Sequence, residues 1–228
     1  MPVPTTEDWR SIATGFLHRW NFPNCLGSID GKHVVIRAPD NSGSLFYNYK
    51  GTFLVVLLAV VDAQYCFRVV DVGSYGRTSD GGVLANSTFS QALRDGTLGL
   101  PQDALLPGPN LSGRHRVFNY RLSRARLIDE NTFGILTTQW RKYRGVIGIS
   151  PANVDACVKA TCVLHNFLRR TASTTRAPIP SAEDGEAAGL QEVTRVGSNN
   201  STREAICVRE TFVSYFSAEG AVPWQPVA

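Results

Sequence analysis

Residues 53–72 read Phe-Leu-Val-Val-Leu-Leu-Ala-Val-Val-Asp-Ala-Gln-Tyr-Cys-Phe-Arg-Val-Val-Asp-Val. The first part, Phe53–Val61, is apolar at every position instead of at alternate ones. Such a run is expected of a strand covered on both faces. It is far shorter than the roughly 18 apolar residues that a membrane span needs. Asp62-Ala63-Gln64 is a tight connection into a second β-rich run, Tyr65–Val72. The two runs therefore predict an antiparallel hairpin.

The rest of the fold reads outward from this hairpin. Upstream, Cys25–Pro39 predicts another strand, with β-branched Ile29, Val34, Val35 and Ile36 punctuated by Gly27, Gly31 and Pro39. Downstream, the turn Gly73–Gly76 leads into a helix from Ser79 or Asp80 to about Arg94. A longer helix is expected over Arg116–Arg141, which has good helix formers and no proline. The last helix starts with Ser150 as N-cap and Pro151 at its first position. Its stripe Val154, Cys157, Val158, Thr161, Leu164, His165 and Leu168 should pack on the sheet, with His165 at its edge, read as a core histidine before a ligand. Strands come first and helices after.

The 228 residues are 43% hydrophobic and 18% charged, enough apolar material for a sizeable core. We divide the chain into an ordered domain over 1–170 and a low-complexity, largely disordered tail over 171–228. One short ordered piece is expected in that tail, near Ala205–Phe216. Five scattered cysteines without CxxC spacing suit reduced thiols in cytosol or nucleus, and the N-terminus has no secretory pattern. The net charge of +4 conceals an uneven distribution. Arg114, Arg116, Arg121, Arg124 and Arg126 follow one another with no acid between them, and Arg141, Lys142 and Arg144 come after. By contrast, the stretch from Pro178 to Glu192 is acidic. A basic stretch of this kind can contact several nucleic-acid phosphates, and the solvated helix face stands beside that reading.

Two carboxylates stand out. Asp30, in Ser28-Ile29-Asp30-Gly31-Lys32, is an acid inside an apolar strand. Burying it is costly unless it meets a cation or several hydrogen bonds. At about 100° per residue, Glu130 shares a helix face with Arg116, Asn119, Ser123, Arg126, Gly134, Thr137 and Arg141. The apolar stripe of that helix is Phe118, Leu122, Ala125, Phe133 and Leu136, and Asp129 interrupts it. From the residues alone two readings stand. One is a magnesium-type phosphoryl-transfer site, with carboxylates holding hard cations beside arginines. The other is a turn-capping Asp30 with a solvated Glu130 paired to Arg126. The Gly73–Gly82 stretch lacks the endings of phosphate-binding loops.

The stretch from Trp20 to Val34, Trp-Asn-Phe-Pro-Asn-Cys-Leu-Gly-Ser-Ile-Asp-Gly-Lys-His-Val, resembles the opening of the nuclease domain of PIF/Harbinger transposases and their domesticated relatives. The resemblance continues through Phe46–Gly51, Val72–Gly82, Phe118–Arg126, Glu130–Leu136 and Val163–Leu168, in order. It implies an RNase H-like α/β fold, a mixed sheet with helices on both faces, and a D-D-E site for Mg2+ or Mn2+ acting on DNA. Asp30 matches the first acid and Glu130 the third, and Asp80 matches an acid often found after the third strand. Arg116, Arg121, Arg124, Arg126 and Arg141 are then the DNA-contacting candidates. A Myb-like DNA-binding partner and a nuclear location follow from the same resemblance.

The second acid has no match. In the family it ends a strand within a motif resembling G-D-E/S-A/G-F/Y-P. Here Leu105-Leu106-Pro107-Gly108-Pro109 runs directly into Asn110-Leu111-Ser112-Gly113, and the nearby acids are Asp95 and Asp103. A strand with its loops takes about 15–20 residues, so a gap of that size is expected near Pro109. The fold would then lack one central strand beside that of Asp30, leaving an exposed edge. The expectation is a nuclease impaired in catalysis and in metal binding. The alternatives are a non-catalytic nuclear DNA- or protein-binding relative and a non-functional truncated product.

Overall fold

The computed structural model describes residues 2–48, 51–75, 80–102, 115–172, 190–192 and 202–223. In chain order its elements are α1 (Thr6–Trp20), β1 (Ser28–Val35), β2 (Leu54–Val61), β3 (Phe67–Tyr75), α2 (Asp80–Asn86), α3 (Thr88–Arg94), α4 (His115–Gln139), α5 (Pro151–Ala172), β4 (Leu190–Glu192) and α6 (Arg203–Ser217). A single 3-10 turn, Arg141–Arg144, lies between α4 and α5.

The sheet has the order β3-β2-β1-β4. β2 pairs antiparallel with β3 on one side and with β1 on the other, where Asp30 stands opposite Ala59. Every residue of β2 is buried. Val55, Leu57, Ala59 and Val61 face the main core with α4 and α5, whereas Leu54, Val56 and Leu58 pack against Val83 of α2. The unbroken apolar run is thus the signature of a strand covered on both faces, and helices lie on both sides of it.

Asp62 sets the β2–β3 hairpin. Its Oδ1 accepts from the Gln64 and Cys66 amides at 2.8 and 3.0 Å, and its Oδ2 meets Arg68 Nε at 2.7 Å. Tyr65 completes the turn with φ at 65°, in the left-handed region. An Asx turn of this kind supplies locally the hydrogen bonds that a buried turn must find. His165 of α5 is fully buried and serves the same hairpin, its Nε2 donating to the Tyr65 carbonyl at 2.8 Å. Asn166 brackets Phe67, accepting from its amide and donating to its carbonyl, both at 2.7 Å.

Several elements differ from the sequence expectation. The helix expected up to Arg94 is divided at Ser87, whose extended backbone and hydroxyl cap α3 by accepting from the Ser90 amide. The long helix ends at Gln139, because Trp140 adopts φ −115° and ψ 94°. Arg141 therefore lies outside it. On α5, Leu164 and Leu168 are 46% and 39% exposed, while Val154, Val158, Cys162 and His165 carry the packing. The expected mixed sheet is antiparallel throughout its described strands, with an isolated parallel bridge between Ile36 and Ile147. The expected gap near Pro109 falls outside the described residues.

Two features come from beyond residue 170. β4 pairs antiparallel with β1 at Lys32–Val34, on the side where the missing strand was expected to leave an edge. Among the described strands, Ser28–Gly31 has β2 alone as a partner. α6 is capped by Thr202, whose hydroxyl accepts from the Ala205 amide. It buries Val213 and Phe216 in the main core, where Phe212 and Phe216 pack on Phe22 at 5.1 and 5.2 Å between ring centres. The ordered piece expected near Ala205–Phe216 is part of the same core as residues 6–172. A boundary at residue 170 leaves this helix out, because low-complexity composition around it hides two core side chains.

Among the described residues no helix is long and apolar enough to cross a membrane.

Candidate functional site

α4 lies against β1, so the two acids singled out from the sequence belong to neighbouring elements. Asp30 sits at the third position of β1, partly exposed, on an edge that β4 does not reach. Glu130, in the middle of α4, is exposed. Next to Glu130 on α4 is Asp129, which the periodicity argument treats as an interruption of an apolar stripe. It is 3% exposed, and Ser28, two residues before Asp30, donates its hydroxyl to Asp129 Oδ2. The other carboxylate oxygen, Oδ1, is buried and has no hydrogen-bond partner among the described residues.

Electrostatics tie the three acids together. Burial is the main reason the Asp129 carboxyl is pushed up from 3.8 to about 7. The Ser28 hydroxyl opposes the rise, Asp30 adds to it, Arg126 opposes it, and Glu130 adds to it. Residues 101 positions apart in the chain thus meet at one point, where β1 and α4 are joined by a hydroxyl–carboxylate hydrogen bond. Lys32, next along the same face of β1, lies with its Nζ 5.8 Å from the centre of the Phe133 ring on α4.

Carboxylate oxygens are the donors that a hard divalent cation takes, and a buried carboxylate oxygen without a partner suits such an ion. Among the described residues, no three Asp, Glu, His or Cys side chains converge as a complete cage. Magnesium-type ions are commonly held by one or two carboxylates plus water and substrate phosphate, so the donor set fits that mode.

The other candidates are scattered. Asp80 opens α2, and its side chain, like that of Arg116, lies outside the described residues. Arg121 is 1% exposed. Its guanidinium donates to the Asn21 and Gly220 carbonyls and lies 4.5 Å from the Phe216 ring centre. The expectation that Arg121 meets DNA is corrected by this: the side chain fastens α6 and the end of α1 to α4. Arg124 is half-buried, and Arg126 is exposed one turn before Glu130. Arg141 is exposed on the 3-10 turn, off the α4 face assigned to it from the sequence. Sequence reasoning missed Asp129, although an acid inside an apolar stripe is itself a signal, since it must find a buried partner.

Residues 29–166 match the family described as DDE superfamily endonuclease. That span includes Asp30, Asp129 and Glu130. The chain belongs to the DDE superfamily endonucleases. Within the family it groups with Harbinger transposase-derived proteins. It is 26% identical over 200 residues to the rat protein named "Putative nuclease HARBI1", covering 78% of this chain and 56% of the rat protein. The human protein of that name is 26% identical over 164 residues, covering 64% of this chain and 46% of its own length. "Protein ALP1-like" of Arabidopsis thaliana is 28% identical over 175 residues, covering 64% of this chain and 43% of that protein. The DDE chain described here thus spans about half the length of the curated relatives it matches. No solved structure gives a significant match.

Proposed function

We propose that this chain is a Harbinger-type nuclease domain of RNase H-like fold, acting on DNA phosphodiester bonds and impaired by the loss of the segment carrying its second acid. The observation that carries this reading is the junction of β1 and α4 at the Ser28–Asp129 hydrogen bond, which sets Asp30, two residues along the strand, and Glu130, the next residue of the helix, on adjoining elements. Asp30 and Glu130 hold Mg2+ or Mn2+ in this reading, with Asp80 a further candidate. The bound ion supplies activation of water and stabilisation of the leaving oxygen. Arg126, exposed one turn from Glu130, faces the phosphate backbone. Arg124 and Arg141 remain candidates for the same role, and the Arg116 side chain is undescribed. DNA as substrate points to the nucleus, and a Myb-like protein supplies sequence recognition.

A second reading, a DNA- or protein-binding relative without cleavage, is favoured by the lack of three converging acids among the described residues. Supercoiled plasmid incubated with the full chain and Mn2+ separates the two. Slow nicking that disappears in Asp30→Ala supports the nuclease. Duplex binding with no nicking in the wild type supports the non-catalytic reading and removes the enzyme.

A further inference from the structure

The segment expected to bear the second acid is missing from the sequence, yet the site holds a carboxylate that the D-D-E pattern does not name. We propose that Asp129 stands in for that acid and joins Asp30 in holding the divalent cation; the inference rests on the metal-dependent reading above. Two observations carry it. Asp129 points from α4 to β1, since its Oδ2 accepts from Ser28, on the strand face that Asp30 shares at the next alternate position. Its Oδ1 is buried and has no hydrogen-bond partner among the described residues, and the residue as a whole is only 3% exposed.

A carboxylate in this state is costly to keep unless something charged or polar meets the second oxygen. Two facts argue against a purely structural acid. A clasp between β1 and α4 needs an acceptor for one hydroxyl, which an asparagine supplies without charge. A carboxylate beside two further carboxylates adds repulsion that a clasp does not need. A hard cation between Asp129 and Asp30 relieves both costs. The two inward acids then come from one strand and one helix, with no need for the missing strand.

The test is Mn2+ binding by the full chain, measured by isothermal titration and by electron paramagnetic resonance of free Mn2+. Wild type, Asp30→Asn, Asp129→Asn and Ser28→Ala are compared, each first checked for cooperative melting without metal. Asp129→Asn keeps the shape of the side chain and an acceptor for Ser28. It is expected to weaken Mn2+ binding about tenfold or more, as Asp30→Asn does. Ser28→Ala frees Oδ2 and is expected to bind Mn2+ at least as tightly as wild type. Loss in Asp30→Asn with full binding in Asp129→Asn overturns the role of Asp129 and leaves the metal reading standing. Loss of binding in Ser28→Ala shows a structural clasp and also overturns it. Absence of binding in wild type overturns both. Should Asp129→Asn fail to melt cooperatively, Asp129→Ser, screened in the same way, takes its place, and full Mn2+ binding in it overturns the role of Asp129.

Discussion

Replacing Asp129 by asparagine should change how stability depends on pH, and the size of the change follows from the structure. Burial, with smaller contributions from Asp30 and Glu130, pushes the Asp129 carboxyl from 3.8 to about 7. In the unfolded chain it ionises near 4. Between pH 4 and 7 the folded chain therefore keeps a proton that the unfolded chain has released. Stability must fall as pH rises through that window, and the contribution present below pH 4 is gone above pH 7. About three units at about 1.4 kcal/mol each amount to something on the order of 4 kcal/mol. Asparagine does not titrate, so Asp129→Asn should match wild type near pH 4 and exceed it by a few kcal/mol at pH 8. Urea denaturation of both proteins in chelator, followed by far-ultraviolet circular dichroism at each pH, reads the difference directly. Carboxylates remote from Asp129 are shared by the two proteins and cancel in it, whereas Asp30 and Glu130, which repel Asp129, are part of the difference. Parallel stability curves from pH 4 to 8 would refute the reasoning, because they would show that Asp129 is solvated or already paired in the folded chain.

Other perturbations test other parts of the account. Phe216 is fully buried against Phe22 and Phe212, so Phe216→Ala should cost about 3–5 kcal/mol in urea denaturation, and an unchanged midpoint would detach α6 from the core. Arg121→Ala strips the Asn21 and Gly220 carbonyls of their donor and should cost about 2–3 kcal/mol. Arg126→Ala should stay within about 0.5 kcal/mol of wild type while lowering the salt slope of duplex binding by about 1; an unaltered slope excludes a phosphate contact there. Asp62→Ala leaves two turn amides and Arg68 without their acceptor and should cost about 3 kcal/mol, with the loss read by thermal melting.

The parts of the fold legible in the sequence are those set by local chemistry. Nine apolar residues from Phe53 to Val61 admit a strand with two covered faces; Asp62 marks a hairpin by its own hydrogen bonds, and Pro151 a helix start by its fixed φ and missing N–H. Asp30 and Glu130 stood out because acids in a strand and on a polar helix face are each unusual in context. What escaped depended on partners distant in the chain. Asp129 reads as a flaw in a stripe until Ser28, 101 residues away, meets it. Arg121 reads as one more surface charge in a basic run. Its burial requires carbonyls from Asn21 and Gly220 and a ring from Phe216, which no helical period reports. α6 was legible as a short piece but not as core, since the value of Phe216 lies in the aromatic surface of Phe22 and Phe118. β4 is too short for any periodicity, and only the edge of β1 gives it a place.

The central claim is that a strand acid and the acids of the facing helix still form a divalent-cation site in this chain. Thermal melting of the full chain across a titration of Mg2+ and of Mn2+ tests it most directly. The account predicts a melting temperature that rises with metal in wild type and stays level in Asp30→Ala. A wild-type melting temperature indifferent to both metals, or an equal rise in Asp30→Ala, would contradict it.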